Sequence, residues 1–254
     1  MIIINEHITE EEVIKLDSSF FFGLGVFETI LINNSQPIML KAHLDRLNQG
    51  LKLLNIDKYI DEKYTLLQIN KLTGENYALK ITVSDKNILF SKREIGYKAE
   101  DYERGFSLKV SKVRRNPSSP STYIKSTNYL DNLLEKQRAK DEGFHEVLFL
   151  NGIDYITEGS MSNLFFIKDH KLHTPSIECG LLAGVLRSWI IDRYEVIQGQ
   201  YTLDEIRKSD GIFLTNSLMG IMKVSDIEGI QVKTCPNIKK FQTDYRHFLE
   251  VNKK

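Results

Sequence analysis

Apolar and polar residues change rhythm several times along this chain, and each rhythm marks an element. Phe27 to Ile32 alternates and is partly β-branched, Asn33-Asn34-Ser35 has turn chemistry, and Pro37 to Leu40 resumes, so the pattern predicts a β-hairpin. From Lys41 to Leu54, the apolar residues Leu44, Leu47, Leu51 and Leu54 recur at three- and four-residue steps. That spacing puts them on one face of an amphipathic helix. Asp61 to Leu72 predicts a second helix, stopped by Thr73-Gly74, and Tyr77 to Val83 and Asn87 to Phe90 read as strands.

Between Lys92 and Gly105 the sequence turns charged and loses its period, which predicts an interdomain linker at 98–104. Beyond it the apolar residues come in short bursts: Phe106 to Val110, Glu146 to Leu150, Asp154 to Thr157, Leu164 to Ile167 and Gly211 to Thr215. Helical spacing separates them at Leu130 to Asp141, Gly184 to Arg193 and Cys235 to Leu249. Strands this short and close predict a largely antiparallel or mixed, barrel-like sheet dressed with helices, not a doubly wound parallel sheet. The fold class expected is therefore α+β in two domains, a small N-terminal one over 1–97 and a larger barrel-like one over 105–254.

Composition narrows the partners. A chain of 254 residues buries enough surface to hold a core without a metal or a disulfide. Its 34 basic and 34 acidic residues cancel, so no global field draws it to nucleic acid or an anionic membrane, and any anion site is local. Cys179 and Cys235 lie in unrelated surroundings, which fits a reduced compartment. The first residues lack the basic and long apolar regions of an export signal, and no apolar run is long enough to span a bilayer, so a soluble cytoplasmic protein is expected. No Gly-x-Gly-x-x-Gly follows a strand and no Walker-type loop occurs, so nucleotide binding by those routes has no support.

Five segments can carry chemistry. Tyr123-Ile124-Lys125-Ser126-Thr127-Asn128-Tyr129-Leu130 sets a lysine between a Pro/Ser loop and a helix. An ammonium drawn out of water gives up its proton more readily, and the neutral amine that remains can attack a carbonyl. By spacing alone the same segment is what a solvated lysine at a helix start looks like. Thr157-Glu158-Gly159 ends a strand with a carboxylate suited to a protonated pyridine nitrogen, or equally begins a hairpin turn. Cys179 to Arg187 is a glycine-punctuated loop running into a helix start, where free N–H groups suit a phosphate. Leu214 to Ile221 offers hydroxyls and a glycine after a strand, and His43 and Arg46 share a helix face from which a guanidinium can fork to a dianion.

Taken in order, these segments resemble the class IV aminotransferase family: Phe22-Gly23-Leu24-Gly25-Val26-Phe27-Glu28-Thr29, His43-Leu44-x-Arg46-Leu47, Lys125 with Asn128-Tyr129-Leu130, Thr157-Glu158-Gly159 with Ser162-Asn163-Leu164, and Leu181-Leu182-x-Gly184-x-x-Arg187. The resemblance implies a fold type IV pyridoxal 5'-phosphate (PLP) enzyme, a homodimer, and a cofactor joined to Lys125. It assigns Glu158 to the pyridine nitrogen and Tyr129 to the phenolic oxygen. Arg46, Ser217 and the backbone of Val185 and Leu186 go to the phosphate.

Within the family, Thr215-Asn216-Ser217-Leu218-Met219-Gly220-Ile221 resembles the aminodeoxychorismate lyase branch, and Arg114-Arg115 and the Lys125 segment are also similar to bacterial lyases. Ser84 to Gly96 lacks the arginine and histidine pattern of the D-amino-acid branch. This implies conversion of 4-amino-4-deoxychorismate to 4-aminobenzoate and pyruvate, with Lys125 moving the protons. Asn216, Met219, Gly220, Arg93 and Arg114 become the candidate substrate residues, with Arg115 and Lys223 as further local cations. Leu24 stands where the family often has aspartate, and Lys223 where it has proline. A branched-chain or D-amino-acid aminotransferase of the same fold, and a non-catalytic binding protein on this scaffold, remain the alternatives.

Overall fold

Strand pairing sorts the described residues into two sheets, one of six strands and one of nine. The computed structural model describes residues 2–11, 13–233 and 235–251. They form two units, the first drawn from residues up to 96, 124–129 and from 248 onward, the second from 97–123 and 130–247.

The first unit contains β1 (Ile2–Ile4), β2 (His7–Thr9), α1 (Ser18–Phe22), β3 (Gly25–Asn33), β4 (Gln36–Pro37), α2 (Leu40–Leu53), α3 (Glu62–Ile69), β5 (Tyr77–Ser84) and β6 (Ile88–Arg93), with strand order β2-β1-β6-β5-β3-β4. The expected hairpin forms, with Asn34 and Ser35 in the left-handed region (φ 49 and 63) and Ile32 paired to Pro37. Its return strand is shorter than the alternation suggested. Met39 takes φ 54 and turns the chain into α2, so Leu40 is helical. Val26, Ile30 and Ile32 of β3 and Leu79, Ile81 and Val83 of β5 face the Leu44, Leu47 and Leu51 stripe of α2 to make the core. Asp61 accepts from the Tyr64 N–H at 2.6 Å and so starts α3.

The second unit contains α4 (Ala99–Arg104), β7 (Phe106–Arg115), α5 (Leu130–Asp141), β8 (Glu146–Asn151), β9 (Ile156–Gly159), β10 (Asn163–Lys168), β11 (Lys171–Pro175), α6 (Val185–Ile191), β12 (Val196–Gly199), α7 (Leu203–Arg207), β13 (Gly211–Asn216), β14 (Gly220–Ile227), β15 (Ile230–Gln231) and α8 (Asn237–Val251) as far as residue 247. Strands β10, β13, β14, β7, β8 and β9 pair in that order, and β9 pairs back to β10 at Glu158 and Asn163, which closes a six-stranded ring. Parallel pairs at β14/β7 and β7/β8 stand among antiparallel ones, so the sheet is the expected mixed barrel. Leu108, Leu148, Ile156, Leu164, Phe166 and Met222 are among its core residues.

Two features depart from the sequence reading. Residues 98–104, expected as a linker, hold the helix α4 and group with the second unit. Six residues are too few to show a period, but Glu100 and Asp101 in the first turn and Arg104 in the last suit the helix dipole, and Asp101 accepts from the Lys98 N–H at 3.0 Å. Ile124–Tyr129, expected within the barrel domain, belongs to the first unit instead, because it is bonded to β3. Among the described residues no helix is long and apolar enough to cross a membrane.

Candidate active site

In the first unit, the lysine segment runs along β3. The Phe27 N–H donates to the Lys125 carbonyl at 2.8 Å, the Thr127 N–H to the Gly25 carbonyl at 2.8 Å, and Val26 bridges Ser126. The Thr127 hydroxyl donates to the Gly23 carbonyl at 2.7 Å. The glycines of the block make this approach possible: a Cβ on Gly23, whose φ is +71°, would come within 3.3 Å of Asn128 Cβ, and one on Gly25 within 2.7 Å of Ser19 Oγ. Leu24 between them is partly exposed.

The backbone docking fixes where the amine goes. Lys125 Nζ lies 4.7 Å from the Phe27 ring centroid and 5.4 Å from that of Tyr129. The two rings meet edge to face, 5.2 Å apart at 87°. Tyr129 and Lys125 are therefore brought together.

A second ammonium shares this platform. Lys80 Nζ is also 4.7 Å from the Phe27 ring, and burial, then the charge of Arg93, pushes that ammonium below its ordinary pKa. Lys80 pairs across from Thr29, and Ala78 from Arg93, so alternation puts Phe27, Lys80 and Arg93 on one face of β3, β5 and β6, a face whose strand residues include no acid. The sequence reading named Arg93 but missed Lys80. Only strand register shows that Lys80 stands beside Phe27.

On the opposite face of β3 lies a buried charge cluster. Arg46 donates to Glu28 from Nε at 2.6 Å and from Nη2 at 2.7 Å, and His43 Nδ1 donates to the same carboxylate at 2.7 Å. Glu28 is 0% and His43 1% exposed. Burial raises the Glu28 carboxyl, but Arg46 and then His43 outweigh it and hold it well below the usual carboxylate range.

In the second unit, three motif blocks meet. Glu158, at the end of β9 and nearly buried, accepts the Leu182 N–H at 3.0 Å on one oxygen and has Arg115 Nη2 at 3.3 Å from the other. Arg115 also donates to Asn132 at 3.1 Å and lies 3.9 Å over the Phe149 ring. Asn163 donates to the Leu182 carbonyl at 2.8 Å, so the loop before α6 is held from both β9 and β10. A Cβ on Gly184 would fall 1.9 Å from Asn163 Oδ1, a space that admits glycine alone. Val185 and Leu186 follow as the first residues of α6, where backbone N–H groups lack helical acceptors.

The turn after β13 is tightly specified. Asn216 Oδ1 accepts the N–H of Leu218 at 3.0 Å and of Met219 at 2.7 Å, its amide donates to Tyr97 at 3.2 Å, and Ser217 stands between. The Met219 side chain is buried in the barrel core and its carbonyl takes the Tyr102 hydroxyl at 2.7 Å. Met219 thus spends its N–H on Asn216 and its side chain on packing, which leaves it little for a substrate. Gly220 has φ +66° and faces Tyr245, 2.8 Å from where its Cβ would be. Arg114 is likewise committed, to Asp154 at 2.9 Å and the Ser111 carbonyl at 2.7 Å. Lys223 lies in β14 beside Gly105.

The candidate residues divide between the units: Lys125, Tyr129, Arg46 and Arg93 belong to the first, and Glu158, Val185, Leu186, Ser217, Asn216, Met219, Gly220 and Arg114 to the second. Residues 25–227 match the sequence pattern of the family described as amino-transferase class IV. The chain belongs to the class IV aminotransferase family. Enzymes of this family work with PLP. The chain is 29% identical over 261 residues to the aminodeoxychorismate lyase of Bacillus subtilis, covering 91% of this chain and 87% of that one. It is 26% identical over 261 residues to a D-alanine aminotransferase of Listeria monocytogenes, covering 91% and 89%. The crystal structure of the Escherichia coli branched-chain amino acid aminotransferase superposes with a TM-score of 0.89 at 23% identity, covering 98% of this chain and 94% of that one, a likeness of fold. These relatives make an enzyme acting on a small molecule the common denominator.

Proposed function

We propose that this chain is a PLP-dependent lyase that converts 4-amino-4-deoxychorismate to 4-aminobenzoate and pyruvate, a step of folate biosynthesis. The observation that carries the reading is the acid-free strand face on which the Lys80 ammonium stands 4.7 Å from the same Phe27 ring as the Lys125 amine, since a dicarboxylate substrate needs a cation beside the reacting amine. The named activity of the Bacillus subtilis relative supports it.

Each unit by itself holds donors that would suit parts of the cofactor. Lys125 supplies an amine for its aldehyde, Glu158 a carboxylate for its ring nitrogen, and Tyr129 a hydroxyl for its phenolic oxygen. Arg46, Ser217 and the first N–H groups of α6 suit its phosphate. When bound, PLP supplies an aldehyde that captures an amine and a protonated ring that stores an electron pair.

Lys125, once its amine is released, takes the proton from the ring carbon that bears the substrate nitrogen. As an ammonium it then returns a proton to the departing enolpyruvate. Phe27 and Tyr129 hold that amine against apolar surface between the two transfers. Arg115 and the Leu182 N–H hold the Glu158 carboxylate in one orientation, in which it would face the ring nitrogen.

The working form is a homodimer in this reading. Phe20, Phe21 and Phe22 of α1 are 61%, 59% and 76% exposed in the single chain, an apolar surface suited to a second copy.

The test is pyruvate release from aminodeoxychorismate by the PLP-loaded protein. Stoichiometric pyruvate and 4-aminobenzoate are expected. No pyruvate, with rapid conversion of the bound cofactor to its pyridoxamine form by a branched-chain or D-amino acid, would replace the lyase with an aminotransferase. Absence of any borohydride-trappable cofactor at Lys125 would leave a non-catalytic protein.

A further inference from the structure

Glu28 breaks the rule of the strand that carries it. Val26, Ile30 and Ile32 on the same face of β3 are core residues packed against α2, yet the position between them is a carboxylate with no exposed surface. Burying a charge costs several kcal/mol, and a buried ion pair is often no more stabilising than apolar residues of the same volume. Stability alone therefore gives a weak reason for a glutamate here, and its geometry suggests another.

The Glu28 carboxylate meets Arg46 as a two-point fork, Nε to Oε1 at 2.6 Å and Nη2 to Oε2 at 2.7 Å. A planar guanidinium gripped along one edge has lost its rotational freedom, so the direction of its Nη1 edge is set as well. His43 completes the grip by donating Nδ1 to Oε2 at 2.7 Å. Burial pushes the His43 imidazolium down; Glu28 pulls the other way, and the charges of Arg46 and Lys125 add to the downward push. A neutral ring donates one proton to Glu28 without competing with Arg46 as a second cation.

We propose that Glu28 is a positioning residue for the cofactor phosphate: its buried carboxylate, with His43, locks the Arg46 guanidinium in one orientation so that Arg46 meets the dianion preorganised. The inference rests on the assignment of Arg46 to the phosphate made above and is independent of whether the reaction is lysis or amino transfer. It separates three roles within one short stretch, since Phe27 supports the Lys125 amine, Glu28 orients Arg46, and Gly25 admits the lysine segment.

The test compares apoprotein affinity for PLP with that for pyridoxal, which has the aldehyde and ring but no phosphate. In Glu28→Gln, PLP affinity is expected to fall about ten- to hundredfold, by analogy with the loss when the partner that orients a metal-binding side chain is removed. Pyridoxal affinity should stay within about twofold, because Lys125 and Glu158 are untouched. The double variant Glu28→Gln/Arg46→Ala should bind PLP no more weakly than Arg46→Ala, since both changes act through one guanidinium. Glu28→Asp keeps the charge but shortens the reach, and should lose less than Glu28→Gln; it also serves if Glu28→Gln does not fold. Equal losses for PLP and pyridoxal would mark Glu28 as a general structural group and overturn the proposal, as would unchanged PLP affinity or additive losses in the double variant. Failure to release pyruvate would overturn the lyase reading and leave these binding ratios standing.

Discussion

Phe27 holds Lys125 twice, by its backbone N–H on the lysine carbonyl at 2.8 Å and by its ring 4.7 Å from the lysine Nζ. A hydrogen bond of β3 and an aromatic contact thus fix both ends of one residue, which ties the lysine amine to the first sheet.

Because the segment is anchored through its backbone, Lys125→Ala should fold and melt like the parent while losing several orders of magnitude in turnover. Borohydride reduction followed by peptide mass analysis should label Lys125 in the parent and nothing in the variant. A variant with near-normal turnover would refute the role.

Thr127→Ala removes the hydroxyl bond to the Gly23 carbonyl and should cost about 1 kcal/mol of stability, read as a lower denaturant midpoint with unchanged slope. No change in midpoint would show that the backbone bonds alone hold the segment.

Gly184→Ala forces a methyl against Asn163 Oδ1, so the loop that carries the Leu182 N–H must shift. A loss of about 1–3 kcal/mol is expected, with weaker PLP retention on gel filtration. Adding Asn163→Ala should recover part of the stability, since it removes the atom that clashes.

Acidification should destabilise the first unit's buried cluster. His43 and Glu28 both have folded pKa values below their ordinary 6.5 and 4.5, so the folded state binds fewer protons than the unfolded one. Their stabilisation is full above those ordinary values and is lost as pH falls below them, first through His43 and then through Glu28. Melting temperatures measured from pH 8 to 4 should decline below about 6.5. In His43→Gln the upper part of that decline should vanish; stability that rises between pH 6.5 and 5 would contradict the assignment.

Lys80→Met keeps most of the side-chain volume and deletes the charge. KM for aminodeoxychorismate should rise about tenfold, the value of one charge-assisted contact, with a smaller change in kcat. An unchanged KM would remove Lys80 from substrate recognition.

The amphipathic spacing of α2, the Asn34-Ser35 turn and the short apolar bursts of the barrel were legible because each is a local matter of period and turn chemistry. Several elements were not. The α4 and α1 helices are too short to show a period, Lys171–Pro175 and the edge strand Val196–Gly199 are short strands without a clean alternation, and β14 begins on a glycine in a stretch noted only for its hydroxyls and its glycine.

The sequence by itself determined which residue types stand as candidates, the amine at Lys125, the carboxylate at Glu158 and the guanidinium at Arg46, together with a mixed barrel after a small first sheet. Only the tertiary structure decided which partners act on them: Phe27 on Lys125, Arg115 and Leu182 on Glu158, and Glu28 on Arg46. The reason is physical. Chemical identity and local period are properties of single residues and near neighbours, whereas strand register and packing bring together groups separated by 98, 43, 24 and 18 positions, a choice made by the whole sheet.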